Sequence, residues 1–309
     1  MQNTVSILKI VLPLIVSLGI GFFARKRDIL SPEAIDGMKT FVMKFALPAM
    51  LFGLFFTAEY APSVLLFAVT MFALGFLGLG LGFLIGKPLE KRSPMLKFMT
   101  AGWEVGMLGY ALYALLYGAE NLRYLALMDF GHVLFVFSGF TAALSAHLGC
   151  SSKESVKALV RNPIPWAMLT GSILAILGVS RALAPSGVTD LVKTLCDFIA
   201  APLSCVILIV VGYGIEFSRK TFATAAISVL IRSLVCAALC VAALFFIGAF
   251  IPLSDAMRWA IIILFITPAP YIMTMYTRNE QERADVSMSL SLQTMVTVLE
   301  FIVITIIKR

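Results

Sequence analysis

Three ionisable side chains lie inside long apolar runs, where charged groups are rare. Glu104 lies in the run 95–117, and Asp129 and His132 lie three residues apart in the run 121–149. Residues three apart on a helix share a face, so Asp129 and His132 can act together. An acid near the centre of a bilayer costs on the order of 3 kcal/mol, and such residues usually face a cavity and serve a function. These residue types predict a proton relay, or contact with a substrate or ion.

Each of these groups also has a structural interpretation. Glu104 could tie the surrounding backbone together by hydrogen bonds, but we favour a functional role because acids inside membranes are functional by default. Asp129 and His132 could instead form a pair that satisfies its own hydrogen bonds and supports a neighbouring helix. The sequence favours neither the functional nor the structural interpretation of this pair. Four further charged residues fall inside apolar runs: Lys44, Asp197, Arg232 and Glu300. For Lys44 and Arg232 we favour a structural ion pair over contact with an anion.

Two of the apolar runs are interrupted near their middles. Gly106 and Gly109 follow Glu104 in the run 95–117, and Thr267-Pro-Ala-Pro270 interrupts the run 257–276. Lipid cannot hydrogen-bond a backbone, so non-helical backbone in a membrane must line a cavity or be buried in protein. Interrupted runs at corresponding positions of two halves are the sequence feature that points to the substrate site of a transporter. We therefore expect freed carbonyls and helix N-termini at these breaks, the latter favouring an anion.

Polar residues of the last run could complete this site. Gln293 could line the cavity or only link helices by hydrogen bonds. The candidate substrate or ion site consists of Glu104, Gly106, Gly109, Asp129, His132, Thr267, Pro268, Pro270 and Gln293. The chain has no Walker loop or nucleophile elbow, and two histidines support a metal site poorly. We expect neither an enzyme nor a cofactor or metal.

The composition excludes a water-soluble domain. The chain is 60% hydrophobic and 13% charged, with a mean hydropathy of +0.98, as expected for a multi-pass membrane protein. The net charge of +7 is spread over short loops between apolar runs, which argues against a nucleic-acid partner. Runs of about 20 apolar residues, the length that spans a bilayer, are 4–24, 33–57, 62–86, 95–117, 121–149, 163–179, 189–215, 221–250, 257–276 and 283–307.

Lysine and arginine set the predicted orientation. The first, third, fifth, seventh and ninth connections carry Arg25, Lys26, Arg27, Lys87, Lys91, Arg92, Lys97, Lys153, Lys157, Arg161, Arg219, Lys220, Arg278 and Arg283. The opposite side carries only Arg123, Arg181, Arg258, Lys308 and Arg309. Because basic loops stay in the cytoplasm, both termini are predicted on the non-cytoplasmic side of the cell's inner (plasma) membrane.

The two halves of the chain share a motif at a constant offset. Asp36, Lys39, Thr40, Ala46 and Pro48 recur as Asp190, Lys193, Thr194, Ala200 and Pro202, each 154 positions later. The interrupted fourth and ninth runs are also five runs apart. An odd number of spans per unit turns the second copy over, so we predict two inverted five-helix repeats, 1–149 and 163–309, joined by a cytoplasmic connection at 150–162.

The order of several short motifs resembles the auxin efflux carrier family, which holds the plant PIN-type carriers and bacterial malonate and malate permeases. The motifs are Leu12-Pro-Leu, Gly19, Leu30-Ser, Phe45-Ala-Leu-Pro-Ala, Gly106 with Gly109, Asp129-Phe-Gly, Arg161-Asn-Pro and Thr267-Pro-Ala-Pro-Tyr. The resemblance implies the fold of bile-acid symporters and sodium/proton antiporters. In that fold, helices 1, 2, 6 and 7 form a scaffold, and helices 3–5 and 8–10 form a transport unit whose fourth and ninth helices cross at mid-membrane.

The resemblance also implies a substrate class. Family substrates are organic anions, moved by proton or sodium gradients or by the membrane potential. Glu104 and His132 stand where family members often have asparagine, and Ala111 stands where they often have proline. An extra acid would repel a carboxylate unless it is protonated, so these departures question the usual substrate and favour proton coupling.

We therefore expect a secondary transporter of a small organic anion that works by alternating access. The alternative is a cation or proton antiporter that uses Glu104, Asp129 and His132 without an organic substrate. A receptor or channel ranks lower, because the connection 150–162 is too short for a soluble domain. The expected partners are the anion, a proton or sodium ion and the lipid bilayer, and a homodimer is left open.

Overall fold

The protein is described by a computed structural model over residues 2–58, 63–149, 160–216 and 218–308. These ranges are helical, with no β-strand among them. The helices are α1 Gln2–Lys26, α2 Pro32–Phe56, α3 Ser63–Gly86, α4 Val105–Tyr117, α5 Ala119–Leu148, α6 Pro163–Ile176, α7 Val188–Gly214, α8 Phe222–Phe250, α9 Asp255–Ile266 and α10 Glu280–Lys308.

Eight helical segments within these ranges are long and apolar enough to cross a membrane. They confirm an all-α, multi-pass membrane fold. The other two predicted spans, α4 and α6, are shorter helices, and α6 is followed by Val179–Ser186 after a bend of 69°. The ten-span count therefore stays a prediction. In the predicted connection 150–162, residues 150–159, with Lys153 and Lys157, lie outside the described residues.

Side-chain caps begin α2 and α6, the helices of the predicted runs 33–57 and 163–179. The Ser31 hydroxyl accepts a hydrogen bond from the N–H of Ala34 at 3.2 Å, and Pro32 is the first residue of α2. Asn162 Oδ1 accepts from the N–H of Ile164 at 2.9 Å at the start of α6. In both cases a side-chain oxygen satisfies a backbone donor that has no partner within the helix.

The break before α4 lies one turn earlier than predicted. Gly106 and Gly109 belong to the π-helical first turn of α4, Val105–Gly109, and residues 99–104 are the non-helical segment. The reason is Gly102, whose φ of +69° ends any helix and is costly for other residues. In α9 the break falls at Thr267–Pro270, as predicted, and a 3₁₀ turn, Tyr271–Met275, follows it.

A row of glycines on α3 packs against the segment that leads to α4. A Cβ on Gly78 would lie 3.0 Å from the carbonyl oxygen of Thr100, and one on Gly86 would lie 2.8 Å from Lys97 Cα. Gly82 lies between them, against the Lys97 carbonyl. The row therefore acts in packing, and it brings the broken segment, rather than a regular helix, close to the α3 backbone.

The helices pack in a consistent set of pairs. Helix α1 lies along α7, and α2 lies along α6. Helix α3 lies along α5, α8 lies along α10, and α9 packs against both α5 and α8. The largest fully buried side chains include Trp103 and Tyr110, which flank the start of α4. The break before α4 is thus placed at the centre of the core.

Candidate functional site

The two breaks lie against each other and are joined through their main chains. The N–H of Glu104 donates to the carbonyl oxygen of Pro268 at 2.8 Å. A Cβ on Gly102 would lie only 2.7 Å from Pro270 Cγ, so only a glycine allows this approach. We call the paired segments 99–104 and 267–270 the crossing.

Gly106 and Gly109 lie at the edge of the crossing. A Cβ on Gly106 would meet Leu47 of α2 at 3.3 Å, and one on Gly109 would meet Thr267 at 3.6 Å. These two predicted site residues therefore leave room for α2 and for the α9 break. They provide close packing at the start of α4, and neither is in the lining of the two cavities described below.

The carboxylate of Glu104 binds a backbone donor from each broken segment. Oε1 accepts from the N–H of Met107 at 3.1 Å, and Oε2 accepts from the N–H of Tyr271 at 2.6 Å. The residue is only 9% exposed. Both oxygens are thus satisfied by N–H groups that follow a break, where no helical carbonyl is available to them.

The guanidinium of Arg232, which extends from α8, binds the carbonyls that the breaks leave free. Nη1 donates to Met99 O at 2.7 Å, and Nη2 donates to Gly102 O and to Thr267 O, each at 2.8 Å. Arg232 is 4% exposed. Its partners are carbonyls rather than an acid, so the ion pair favoured from the sequence was wrong. Arg232 thus satisfies carbonyl acceptors, and Glu104 satisfies N–H donors, at the same two breaks.

Two residues of α10 complete the hydrogen bonding of the α9 break. Gln293 Oε1 accepts from the N–H of Ala269 at 2.9 Å, and its amide nitrogen donates to Ser228 Oγ on α8 at 3.0 Å. The hydroxyl of Thr297 donates to Ile266 O at 2.5 Å. Gln293 therefore lies at the crossing, with its amide bound to both α8 and the break.

Asp129 and His132 support the crossing from α5. The N–H of Trp103 donates to His132 Nε2 at 2.9 Å, so this nitrogen is the acceptor and Nδ1 carries the proton. Nδ1 lies 2.8 Å from Asp129 Oδ1, and the Tyr110 hydroxyl donates to Asp129 Oδ2 at 2.9 Å. Both residues are buried and hydrogen-bonded to the segment around the α4 break.

A cavity of about 280 Å³ lies beside the crossing, between α8, α9 and α10. Its polar lining includes Arg232, Thr267, Gln293, Thr297 and Glu300, with Pro268 and apolar residues completing the wall. We call it the α8–α10 cavity. Of the predicted site residues, Thr267, Pro268 and Gln293 line it. Glu104, Gly106, Gly109, Asp129, His132 and Pro270 do not.

A larger opening of about 490 Å³ lies away from the crossing, at the ends of α1 and α7 and beside α10. Arg25 and Lys26 line it together with Glu216. Arg25 pairs with the Glu216 carboxylate at 2.5 Å, and the N–H of Glu216 donates to Ser291 Oγ on α10 at 3.0 Å. This opening is on the side predicted to face the cytoplasm.

Comparison with protein families bears on the class of the molecule. Residues 6–146 match the model of a family described as membrane transport protein. This part of the chain is similar to that membrane transport protein family. No curated protein matches it.

The matched residues cover nearly all of the first predicted repeat. They include Glu104, Asp129 and His132, but not the α8–α10 cavity. The match confirms the family resemblance inferred from the sequence motifs. The family is described by membrane transport and not by catalysis.

Several residues in and around the crossing were not among the predicted site residues. Arg232 and Glu300 were noted as charges within apolar runs, and that signal could have identified them as site residues. Tyr271 ends the motif Thr267-Pro-Ala-Pro-Tyr, but its side chain gave no reason to expect a contact with Glu104, because it contributes a backbone N–H. Trp103 adjoins Glu104, and its buried indole N–H has no acceptor among the described residues. Lys44 and the Lys193–Asp197 ion pair, 2.5 Å long, are exposed and lie outside the crossing.

Proposed function

We propose that this protein is a secondary active transporter that moves a small organic anion across the cytoplasmic membrane by alternating access. The observation that carries the proposal is the crossing, where two interrupted helices meet through the bond between Glu104 N–H and Pro268 O. Broken helices that meet inside the protein place polar backbone groups at membrane depth, where a carrier needs to bind a hydrophilic substrate.

The packing pairs support the inverted five-helix repeat. In the predicted repeat, α6 is the counterpart of α1, and α7 is the counterpart of α2. The contact between α1 and α7 then corresponds to the contact between α6 and α2, and both contacts are present. The α3–α5 and α8–α10 contacts correspond in the same way. We propose that α1, α2, α6 and α7 form the scaffold. The remaining helices, α3–α5 and α8–α10, would then move against it as the transport unit.

We propose that the substrate occupies the α8–α10 cavity. Arg232 lines this cavity with a buried positive charge, and one N–H of Nη1 has no acceptor among the described residues. That N–H can bind a substrate carboxylate. Glu300 lines the same cavity and would repel the carboxylate, so a proton on Glu300 must accompany the anion. This arrangement favours proton-coupled symport.

A cation or proton antiporter is the second candidate. The crossing and its surroundings hold three acids, Glu104, Asp129 and Glu300, and the buried base among the described residues there is Arg232. His132 accepts a hydrogen bond through Nε2, which is consistent with its neutral form. This excess of acids favours a cation or a proton over a second negative charge.

Flux measurements in proteoliposomes separate the two candidates. An organic-acid carrier is expected to take up one labelled mono- or dicarboxylate, with a rate that rises in an inward proton gradient. An antiporter is expected to exchange a cation for protons in the absence of any organic acid. If no organic acid is taken up while a cation alone dissipates a proton gradient, the organic-anion proposal is wrong.

A glutamine at position 300 tests proton coupling. Glu300→Gln keeps the size of the side chain and removes its titratable group, so uptake should persist while its dependence on pH is lost. Glu120→Gln, at an exposed acid in the first turn of α5, is the matched control and should behave like the wild type. Unchanged pH dependence in Glu300→Gln would remove Glu300 from the coupling mechanism.

We also propose that the carrier is a homodimer. The first half of α7 exposes Leu191, Leu195 and Phe198 together with the Lys193–Asp197 ion pair. Lipid solvates an ion pair poorly, so a second copy that covers this face is favoured. Light scattering of the purified protein in detergent measures the mass. The mass of a single chain at all protein concentrations would contradict the dimer.

A further inference from the structure

The carboxylate of Glu104 occupies a position that two backbone donors form together. The N–H of Met107 is the donor from α4, and the N–H of Tyr271 is the donor that follows the α9 break. Both donors follow a break, and each donates to a different oxygen of the same carboxylate. Two N–H groups that converge from separate segments match the two acceptors of one carboxylate.

We propose that Glu104 is a built-in ligand: its carboxylate fills an anion-binding position at the crossing, which a free carboxylate can enter only when this side chain is removed. The inference rests on the proposed function and deepens it, because a substrate carboxylate then binds outside this position. In the wild type, the α8–α10 cavity with Arg232 is the place left for it.

The acceptor chemistry explains why a carboxylate, rather than an amide, fits this position. A glutamine offers one acceptor oxygen and one NH₂ group. The oxygen could accept from Met107 or from Tyr271, and the NH₂ group would then face the other donor. Glu104→Gln therefore leaves one buried N–H unpaired and no free space. Glu104→Ala leaves both N–H groups unpaired and vacates the volume of a small carboxylate such as formate.

The test is rescue of Glu104→Ala by formate, with the melting temperature (Tm) of the purified protein in detergent as the readout. Sodium formate replaces sodium chloride at constant ionic strength. Glu104→Ala should melt below the wild type, and increasing formate should restore most of the lost Tm and then saturate, because a ligand of the folded state stabilises it. Benzoate, which is too large for the vacated volume, should not restore it.

Three proteins serve as controls for formate. The wild type and Glu104→Gln keep the position filled, so formate can act on them only through the α8–α10 cavity, and their Tm should change little and equally. Glu120→Ala removes an exposed acid of α5 away from the crossing, so its Tm should follow theirs. Saturable rescue of Glu104→Ala beyond the change in these controls supports the proposal. An absence of rescue, or an equal rise in all four proteins, overturns it.

Two further outcomes are also decisive. If Glu104→Ala cannot be purified as a monodisperse protein in chloride, it is purified in formate. Recovery in formate alone supports the proposal, and failure in both salts overturns it. Because the readout is stability, formate rescue together with an absence of organic-acid uptake would reject the proposed transport function while leaving the built-in ligand in place.

Discussion

Arg232 and Glu104 bind complementary backbone groups at the same two helix breaks. The guanidinium of Arg232 donates hydrogen bonds to the carbonyl oxygens of Met99, Gly102 and Thr267. The carboxylate of Glu104 accepts hydrogen bonds from the N–H groups of Met107 and Tyr271. Each break removes helical hydrogen bonds and leaves both kinds of group without partners. One buried cation and one buried anion thus make a non-helical crossing tolerable inside the protein.

Replacing Arg232 should destabilise the crossing. In Arg232→Lys the ammonium cannot reach Met99 O, Gly102 O and Thr267 O together, because it lacks the planar fork of the guanidinium. A buried carbonyl without a donor costs about 1–3 kcal/mol, so the loss of stability should be roughly 2–4 kcal/mol. The Tm in detergent measures it. Arg181→Lys, at an exposed residue, is the matched control, and an equal Tm for both variants would contradict the assigned role.

Gly102 should not accept even an alanine. The left-handed φ of +69° costs an L-residue about 1–2 kcal/mol, and the added methyl would also meet Pro270 Cγ at 2.7 Å. Gly102→Ala should therefore lower the Tm. Gly80→Ala provides the contrast, because nothing lies within 4 Å of its Cβ position and α3 is helical there. Alanine should raise stability at that site by up to about 1 kcal/mol. Similar effects of the two substitutions would mean that the crossing is less tight than described.

Two tyrosines of α4 should differ in their sensitivity to loss of the hydroxyl. Tyr110 donates to the carboxylate of Asp129, and Tyr113 donates to the neutral carbonyl of Ala256, both at 2.9 Å. Hydrogen bonds to charged groups contribute about 1.5–3 kcal/mol and neutral ones about 0.5–1.5 kcal/mol. Tyr110→Phe should therefore lower the Tm more than Tyr113→Phe does. In Asp129→Asn the difference between the two should shrink, and its persistence would show that the carboxylate charge is not its source.

The orientation predicted from basic loops can be tested by thiol labelling. In a background without cysteine, Asp28→Cys marks the loop after α1, predicted to be cytoplasmic, and Glu120→Cys marks the first turn of α5, predicted to be outside. A membrane-impermeant thiol reagent applied to intact cells should label Glu120→Cys and should label Asp28→Cys only after permeabilisation. The reverse pattern would invert the whole topology.

Helix positions followed from the sequence because apolar length and capping residues act locally. Ser31 and Asn162 cap the helices of the predicted runs 33–57 and 163–179, and each cap lies within three residues of the donor that it satisfies. The α9 break was also predictable, because Pro268 and Pro270 lack the N–H that a helix requires. The α4 break was misplaced by one turn, because the decisive residue is Gly102, and nothing local distinguishes it from Gly106.

Partners at the crossing were harder to predict because they are distant in the chain. Arg232 binds Met99 and Gly102, more than a hundred residues away, and only the fold brings them together. The sequence identified Glu104 as exceptional but could not show that both of its oxygens bind main-chain donors. For Asp129 and His132, the spacing predicted a shared face, and only the contact with the N–H of Trp103 located the pair beside the break.

The bond between Glu104 N–H and Pro268 O joins two main chains, so it does not depend on the identity of either side chain. Its two ends belong to opposite halves of the chain. Substitutions of side chains in the α8–α10 cavity therefore leave this main-chain bond in place. If the proposed substrate site lies in that cavity, its specificity can change by substitution while the two halves stay joined at the crossing.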